Sequence, residues 1–154
     1  MPTSWRIVKT RHLDNAFDGE GARLYGARWN SAGTRVVYTA ETRALAALEL
    51  LVHLQATSAL QSYSLVPVRF TSNLVMSLDR GALPPDWRSY PPPRALQTIG
   101  DDWCRSHRSA VLKVPSAVVA DEHNYLINPA HPRFGEITIG AAEPFAFDNR
   151  LFKQ

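Results

Sequence analysis

Three residues in the first third of the chain have the types and spacing to work on one ligand. Arg28 follows a glycine in Leu24-Tyr-Gly-Ala-Arg-Trp-Asn30, Tyr38 closes the β-branched run Val36-Val-Tyr38, and Glu49 sits inside the apolar stretch Ala44-Leu-Ala-Ala-Leu-Glu-Leu-Leu-Val-His53. A cation that neutralises an anion, a ring that stacks and an acid, drawn from three separate elements, can converge on one molecule. Each residue also has a plainer reading. Spacing alone makes Glu49 and His53 a solvent-facing i,i+4 pair. Arg28 then becomes a turn or surface ion-pair residue, and Tyr38 a strand-end ring divided between core packing and ligand stacking.

The elements that would position these residues follow from periodicity and turn chemistry. Trp5-Arg-Ile-Val8 reads as a strand, with Arg6 leaving it on the side opposite Trp5 and Ile7. A turn-rich loop, Asp14 to Gly21, comes next. Arg28-Trp29-Asn30, the turn Ser31-Ala-Gly-Thr34 and the strand Arg35-Val-Val-Tyr-Thr39 form a predicted hairpin, which would put Arg28 and Tyr38 on neighbouring strands. From Glu41 to Leu54 the residues Leu45, Leu48, Leu51 and Val52 recur at helical spacing, while Thr42, Glu49 and His53 share a narrow polar stripe. A helix so apolar is expected to be sandwiched in the interior, with its stripe facing a cleft or water.

Tyr63 to Phe70 alternates like a strand, and Pro67 requires an edge or a bulge there. Pro84, Pro85, Pro91, Pro92 and Pro93 exclude regular structure over most of residues 81–94, which read as an ordered surface excursion. Thr98 to Arg105 reads as a short helix. Ala110 to Val114, Asn124 to Pro129, Gly135 to Ile139 and Phe145 to Phe147 read as extended. Many short strands with two or three helices define an α+β fold, in a single domain over residues 1–154.

Composition narrows the function classes. The 154 residues, 45% hydrophobic and 20% charged, suit an ordinary soluble domain with one core. The lone cysteine, Cys104, excludes an internal disulfide, and the start Met-Pro-Thr-Ser-Trp-Arg lacks an apolar signal segment, so a cytoplasmic protein without a membrane role is expected. Seventeen Lys and Arg against fourteen Asp and Glu leave a formal +3. That charge is dispersed and forms no basic stripe, which argues against a nucleic-acid partner. It suits an anionic small ligand such as a dinucleotide equally with no ligand. Gly19, Gly21 and Gly26 lack the G-x-G-x-x-G spacing, no phosphate-loop motif is present, and Ser116 lies outside any G-x-S-x-G elbow. With no H-E-x-x-H pattern and one cysteine, a metal is not expected.

Several short strings then acquire a joint meaning. Trp5-Arg6, Gly26-Ala-Arg28-Trp29-Asn30 with Gly33, Val36-Val-Tyr38, and Ala47-Leu-Glu49 with His53 stand in order along the chain. Gly100-Asp-Asp-Trp103, Val114-Pro-Ser-Ala-Val118 and Asn124-Tyr-Leu-Ile-Asn-Pro-Ala-His-Pro132 follow them. Together they resemble the RES-domain family from Trp5 to Phe152. The arginine, glutamate and serine that give that family its name match Arg28, Glu49 and Ser116. One departure is Gly26-Ala27, where the family often has two glycines.

The resemblance implies a fold similar to that of ADP-ribosylating toxins and a toxin of a type II toxin–antitoxin pair acting on NAD⁺. The reaction implied is cleavage of the nicotinamide–ribose bond, with the ADP-ribosyl group passing to phosphate or water, or alternatively to a cellular protein. The partner implied is a helix-turn-helix antitoxin that occludes the active site, and the resemblance also allows a homodimer. Such cleavage develops positive charge on the ribose, as glycoside hydrolysis does, and a carboxylate in a water-poor site stabilises it. By family position that carboxylate is Glu49, which needs His53, Arg28 or a hydrogen-bonding partner to stay ionised when buried. Arg6 and Arg28 would fork the phosphates, and Tyr38 would offer its ring to nicotinamide or its hydroxyl to the ribose. Ser116 would bond Glu49 or the substrate, or else cap the turn after Pro115. Asn128 would add a polar contact, or serve as an ordinary turn residue before Pro129.

Overall fold

The β-branched and aromatic runs become strands of one mixed sheet in the computed structural model, which describes residues 1–54 and 61–152. These strands are β1 (Thr3–Lys9), β2 (Val37–Ala40), β3 (Tyr63–Arg69), β4 (Val75–Ser77), β5 (Val111–Pro115), β6 (His123–Ile127), β7 (Thr138–Ile139) and β8 (Glu143–Phe145). Their order is β4-β5-β6-β2-β1-β3-β7, with β8 also on β3. All pairs are antiparallel except β4 with β5. Among the described residues the α-helices are α1 (Glu20–Tyr25), α2 (Arg43–Leu51) and α3 (Arg94–Ser106). The fold is α+β, and none of these helices is long and apolar enough to cross a membrane.

Period-two alternation sorts the side chains of the central strands onto two faces. Val37, Val111, Tyr125 and Ile127 enter one buried cluster with Val68 and Phe70. Val36, Leu112, Val114 and Leu126 enter the other, under α3, with Trp29, Leu96 and Trp103. Tyr38 and Asn124 follow the parity of the second face. The sheet thus aims them at the side where the helices lie.

Pro67 is neither on an outer strand nor in a bulge of its own. β3 is flanked by β1 and by β7 with β8, and the bulge lies in the neighbour. Val68 pairs with Ile139 and Leu65 with Glu143, so residues 140–142 stand opposite Val66 and Pro67 alone. The extra residue lets the Gly140 N–H reach the Pro67 carbonyl at 2.8 Å, and the outer strand tolerates a partner with no N–H to give.

Two expectations about the first third are corrected. The Arg28–Tyr38 hairpin does not form: Ala27 and Asn30 close a tight bridge of their own, while β2 pairs with β1 and β6. The buried Asn30 side chain explains this, because its amide donates to the carbonyls of Ala22, Ser31 and Thr34 and folds the segment on itself. Nor is α2 sandwiched. Leu45 and Ala46 pack with Ala40, Trp5 and Ile7, whereas Leu48 and Val52 remain 42% and 61% exposed. Nine residues laid on one face of a sheet bury one stripe, and among the described residues no element covers the other.

The turn-rich loop also holds more structure than its glycines suggest. A 3-10 turn spans Thr10–Asn15, and α1 starts at Glu20.

Candidate active site

Helix α2 starts where Thr42 caps it, its hydroxyl accepting the Leu45 N–H at 3.0 Å. Glu49 lies three and four residues beyond Ala46 and Leu45, so it continues the face that packs on the sheet. That placement removes the solvent-facing reading. The Glu49 carboxylate meets two neutral donors, Asn124 Nδ2 at 2.6 Å on Oε1 and Ser116 Oγ at 2.9 Å on Oε2. Burial raises its pKa, and the hydrogen bonds from Asn124 and Ser116 oppose the rise. Its partners are therefore neither His53, which is exposed beyond the helix end, nor Arg28.

Asn124 was not singled out by sequence, although a strand-disfavoured asparagine at the head of an apolar run was a signal. Its amide bridges Glu49 and the Thr39 carbonyl, 3.1 Å away, which ties the carboxylate to the sheet. Ser116 is buried at the end of β5. Its hydroxyl also accepts the N–H groups of Val118 and Val119 at 3.1 and 3.2 Å. Turn capping and Glu49 binding are thus one arrangement.

Glu49 lines a cleft of about 690 Å³ that also receives Arg6, Arg28, Tyr38 and Asn124, with Trp5 among its walls. This size is within the range of small-molecule sites. Arg6 reaches it from β1. Its Nε donates to the Ala16 carbonyl and its Nη1 to the Tyr38 carbonyl, at 2.8 and 2.9 Å. Burial pulls its pKa down to about 10, partly offset by Asp18. Arg28 stands after Gly26, whose φ of 71° suits glycine. Its Nη1 donates to the carbonyls of Trp87 and Ser89 at 2.9 and 3.0 Å. Burial lowers its pKa too. No carboxylate pairs with either guanidinium among the described residues, so the cleft keeps positive charge for an anion.

Tyr38 lends its ring to the cleft, but its hydroxyl is committed. It donates to Asn30 Oδ1 at 2.6 Å and accepts the Trp29 N–H at 3.1 Å. Burial raises the pKa of the phenol, keeping it protonated. Asn128 lies outside the group. It is buried after β6, donates to the Cys104 carbonyl at 3.2 Å and accepts the Ala130 N–H at 3.0 Å, the geometry of a local turn. The proline-rich excursion, which sequence leaves outside the catalytic scheme with a role in substrate access or the antitoxin surface open to it, also contributes side chains here. Arg88 and Tyr90 line the cleft from it.

A carboxylate fixed by neutral donors in an arginine-lined cleft, on an α+β fold, has the make-up of a candidate small-molecule site. The RES domain model matches residues 3–148, and the chain belongs to the RES-domain family. It is 40% identical over 149 residues to Toxin Res of Yersinia enterocolitica, covering 96% of this chain and 97% of that one. It is 37% identical over 160 residues to the Prs ADP-ribosylating toxin of a Sphingobium species, covering 100% and 99%. The fold is similar to that of a chain in the crystal structure of the M. tuberculosis MbcT-MbcA toxin-antitoxin complex. There the TM-score is 0.78 at 20% identity, over 98% of this chain and 86% of the other.

Proposed function

We propose that this protein is the toxin of a toxin–antitoxin pair, and that it binds NAD⁺ in the cleft and cleaves the nicotinamide–ribose bond. The ADP-ribosyl group passes to phosphate or water, which depletes the cell of NAD⁺. The observation that carries this reading is the Glu49 carboxylate, held on both oxygens by Ser116 and Asn124. Neither partner neutralises it. Its negative charge is thereby available to the oxocarbenium-like ribose that forms as neutral nicotinamide departs. Lone pairs on each oxygen remain free of these two bonds and can accept ribose hydroxyls. Arg28 and Arg6 supply the cationic environment for the pyrophosphate, and the Tyr38 ring a wall for the nicotinamide.

The relatives called toxins support the biological role, and the likeness to a toxin–antitoxin complex supports an antitoxin partner. In this reading the partner is a helix-turn-helix protein that covers the cleft in the cytoplasm. Purified protein freed of its partner is expected to release nicotinamide from NAD⁺, and Glu49→Ala to reduce that release by about a hundredfold or more. No release from the wild type, or undiminished release from the variant, overturns the reading. A second acceptor has its own support, since one relative is called an ADP-ribosylating toxin. Transfer of labelled ADP-ribose onto one discrete cellular protein, in place of bulk NAD⁺ loss, would select it.

A further inference from the structure

One cation of the cleft has no role in the scheme above. Arg88 lines the cleft from the proline-rich excursion, and it is held from two directions. Arg28 grips the carbonyls on either side of it, those of Trp87 and Ser89. The Arg88 side chain donates through Nε to the Ala117 carbonyl at 3.1 Å. Ala117 directly follows Ser116, whose hydroxyl donates to Glu49. The Arg88 side chain is therefore anchored on the residue next to Ser116, which holds the carboxylate, in the lining of the same cleft.

Arg88 makes no ion pair among the described residues. An arginine held by Nε keeps its two Nη groups for a fork onto an oxyanion. Arg6 is placed differently, with Nε and Nη1 both committed to carbonyls at the sheet. Arg28 already spends Nη1 on the excursion. Arg88 is the guanidinium whose anchor lies beside the Glu49 partners, where the bond to nicotinamide would break.

We propose that Arg88 binds the acceptor, an inorganic phosphate, and so decides whether the ADP-ribosyl group goes to phosphate or to water. This rests on the reading of the cleft as an NAD⁺-cleaving site. In the phosphate reaction an oxygen of hydrogenphosphate forms a bond to the anomeric carbon as the carbon–nitrogen bond breaks. The electron pair of that bond leaves with nicotinamide, whose ring becomes neutral. No proton has to move, and the products are nicotinamide and ADP-ribose 1-phosphate. Attack by water gives ADP-ribose instead and must shed a proton. A fixed cation near the carboxylate therefore favours the phosphate path, by offsetting the repulsion between phosphate and Glu49, far more than the water path.

The full chain, Arg88→Ala and Arg88→Lys are to be compared with NAD⁺ over a titration of inorganic phosphate, with both sugar products quantified. Arg88→Ala is expected to lower the ratio of ADP-ribose 1-phosphate to ADP-ribose by about tenfold or more and to raise the KM for phosphate. Arg88→Lys is expected to recover part of that ratio. The KM for NAD⁺ in phosphate-free buffer should move by less than about threefold. An unchanged product ratio overturns the proposal. So does a large rise in KM for NAD⁺ without phosphate, which would assign Arg88 to the pyrophosphate of the dinucleotide. A wild type that yields only ADP-ribose at every phosphate concentration overturns it too, while leaving NAD⁺ cleavage intact. Absence of any nicotinamide release overturns the underlying reading first.

Discussion

The Ser116 hydroxyl and the Glu49 carboxylate, 67 residues apart in the chain, meet at 2.9 Å. Both acceptor sites of that hydroxyl are taken by the N–H groups of Val118 and Val119. Its single proton is therefore directed at Glu49 and cannot rotate away without leaving the turn uncapped. The bond lowers a pKa that burial raises, and so helps keep the acid ionised at neutral pH.

A pH profile reads this relationship directly. If NAD⁺ cleavage needs ionised Glu49, the rate falls on the acid side through a pKa displaced upward from the ordinary carboxylate range. In Ser116→Ala one of the two bonds that lower the pKa is gone, so the acid limb moves to higher pH. The rate at neutral pH should drop by about tenfold or more. A limb that stays in place, or that moves to lower pH, contradicts the role given to Ser116.

Tyr38→Phe separates the ring from the hydroxyl. The ring stays in the cleft wall, while Asn30 Oδ1 and the Trp29 N–H lose the partner they share. Stability should fall by about 1–3 kcal/mol, the cost of buried polar groups left unpaired. Urea denaturation measures it. Unchanged stability with lost activity would instead show that the hydroxyl contacts the substrate.

Gly100→Ala tests how α3 supports the site. A methyl group at this position would land on the Trp29 carbonyl oxygen, which is backbone and cannot swing aside. The expected loss is about 3 kcal/mol or more, together with weaker ligand binding, because Trp29 neighbours Arg28. Near wild-type melting would mean that the helix shifts without cost.

Strand and helix positions were legible where apolar spacing was regular, as in β1, β3, β5 and α2. The orientation of α2 was not. Its apolar residues occur nearly all round, and only the sheet decides that Leu45 and Ala46 turn inward while Leu48 and Val52 turn outward. The hairpin expected around residues 31–34 does not form, for a related reason. Turn residues favour a reversal, but β2 found its partners in β1 and β6, which the local sequence cannot weigh. Prolines correctly excluded regular structure near residues 84–93. They carried no information on where that segment would lie, because its place follows from contacts distant in sequence: Arg28 donating to two of its carbonyls, Arg88 donating to Ala117, and Trp87 packing on the core under α3.

By itself the sequence determined the residue types, the alternation that assigns Tyr38 to one face of the sheet, and the ordered strings that mark the family. Only the tertiary structure decided that Glu49 is held by Ser116 and Asn124, that the Tyr38 hydroxyl is spent on Asn30, and that Arg88 enters the cleft. Periodicity is a local property of the backbone and survives in a linear reading. Contacts such as Ser116 with Glu49 exist only after strands distant in sequence have paired, and their geometry follows from that packing.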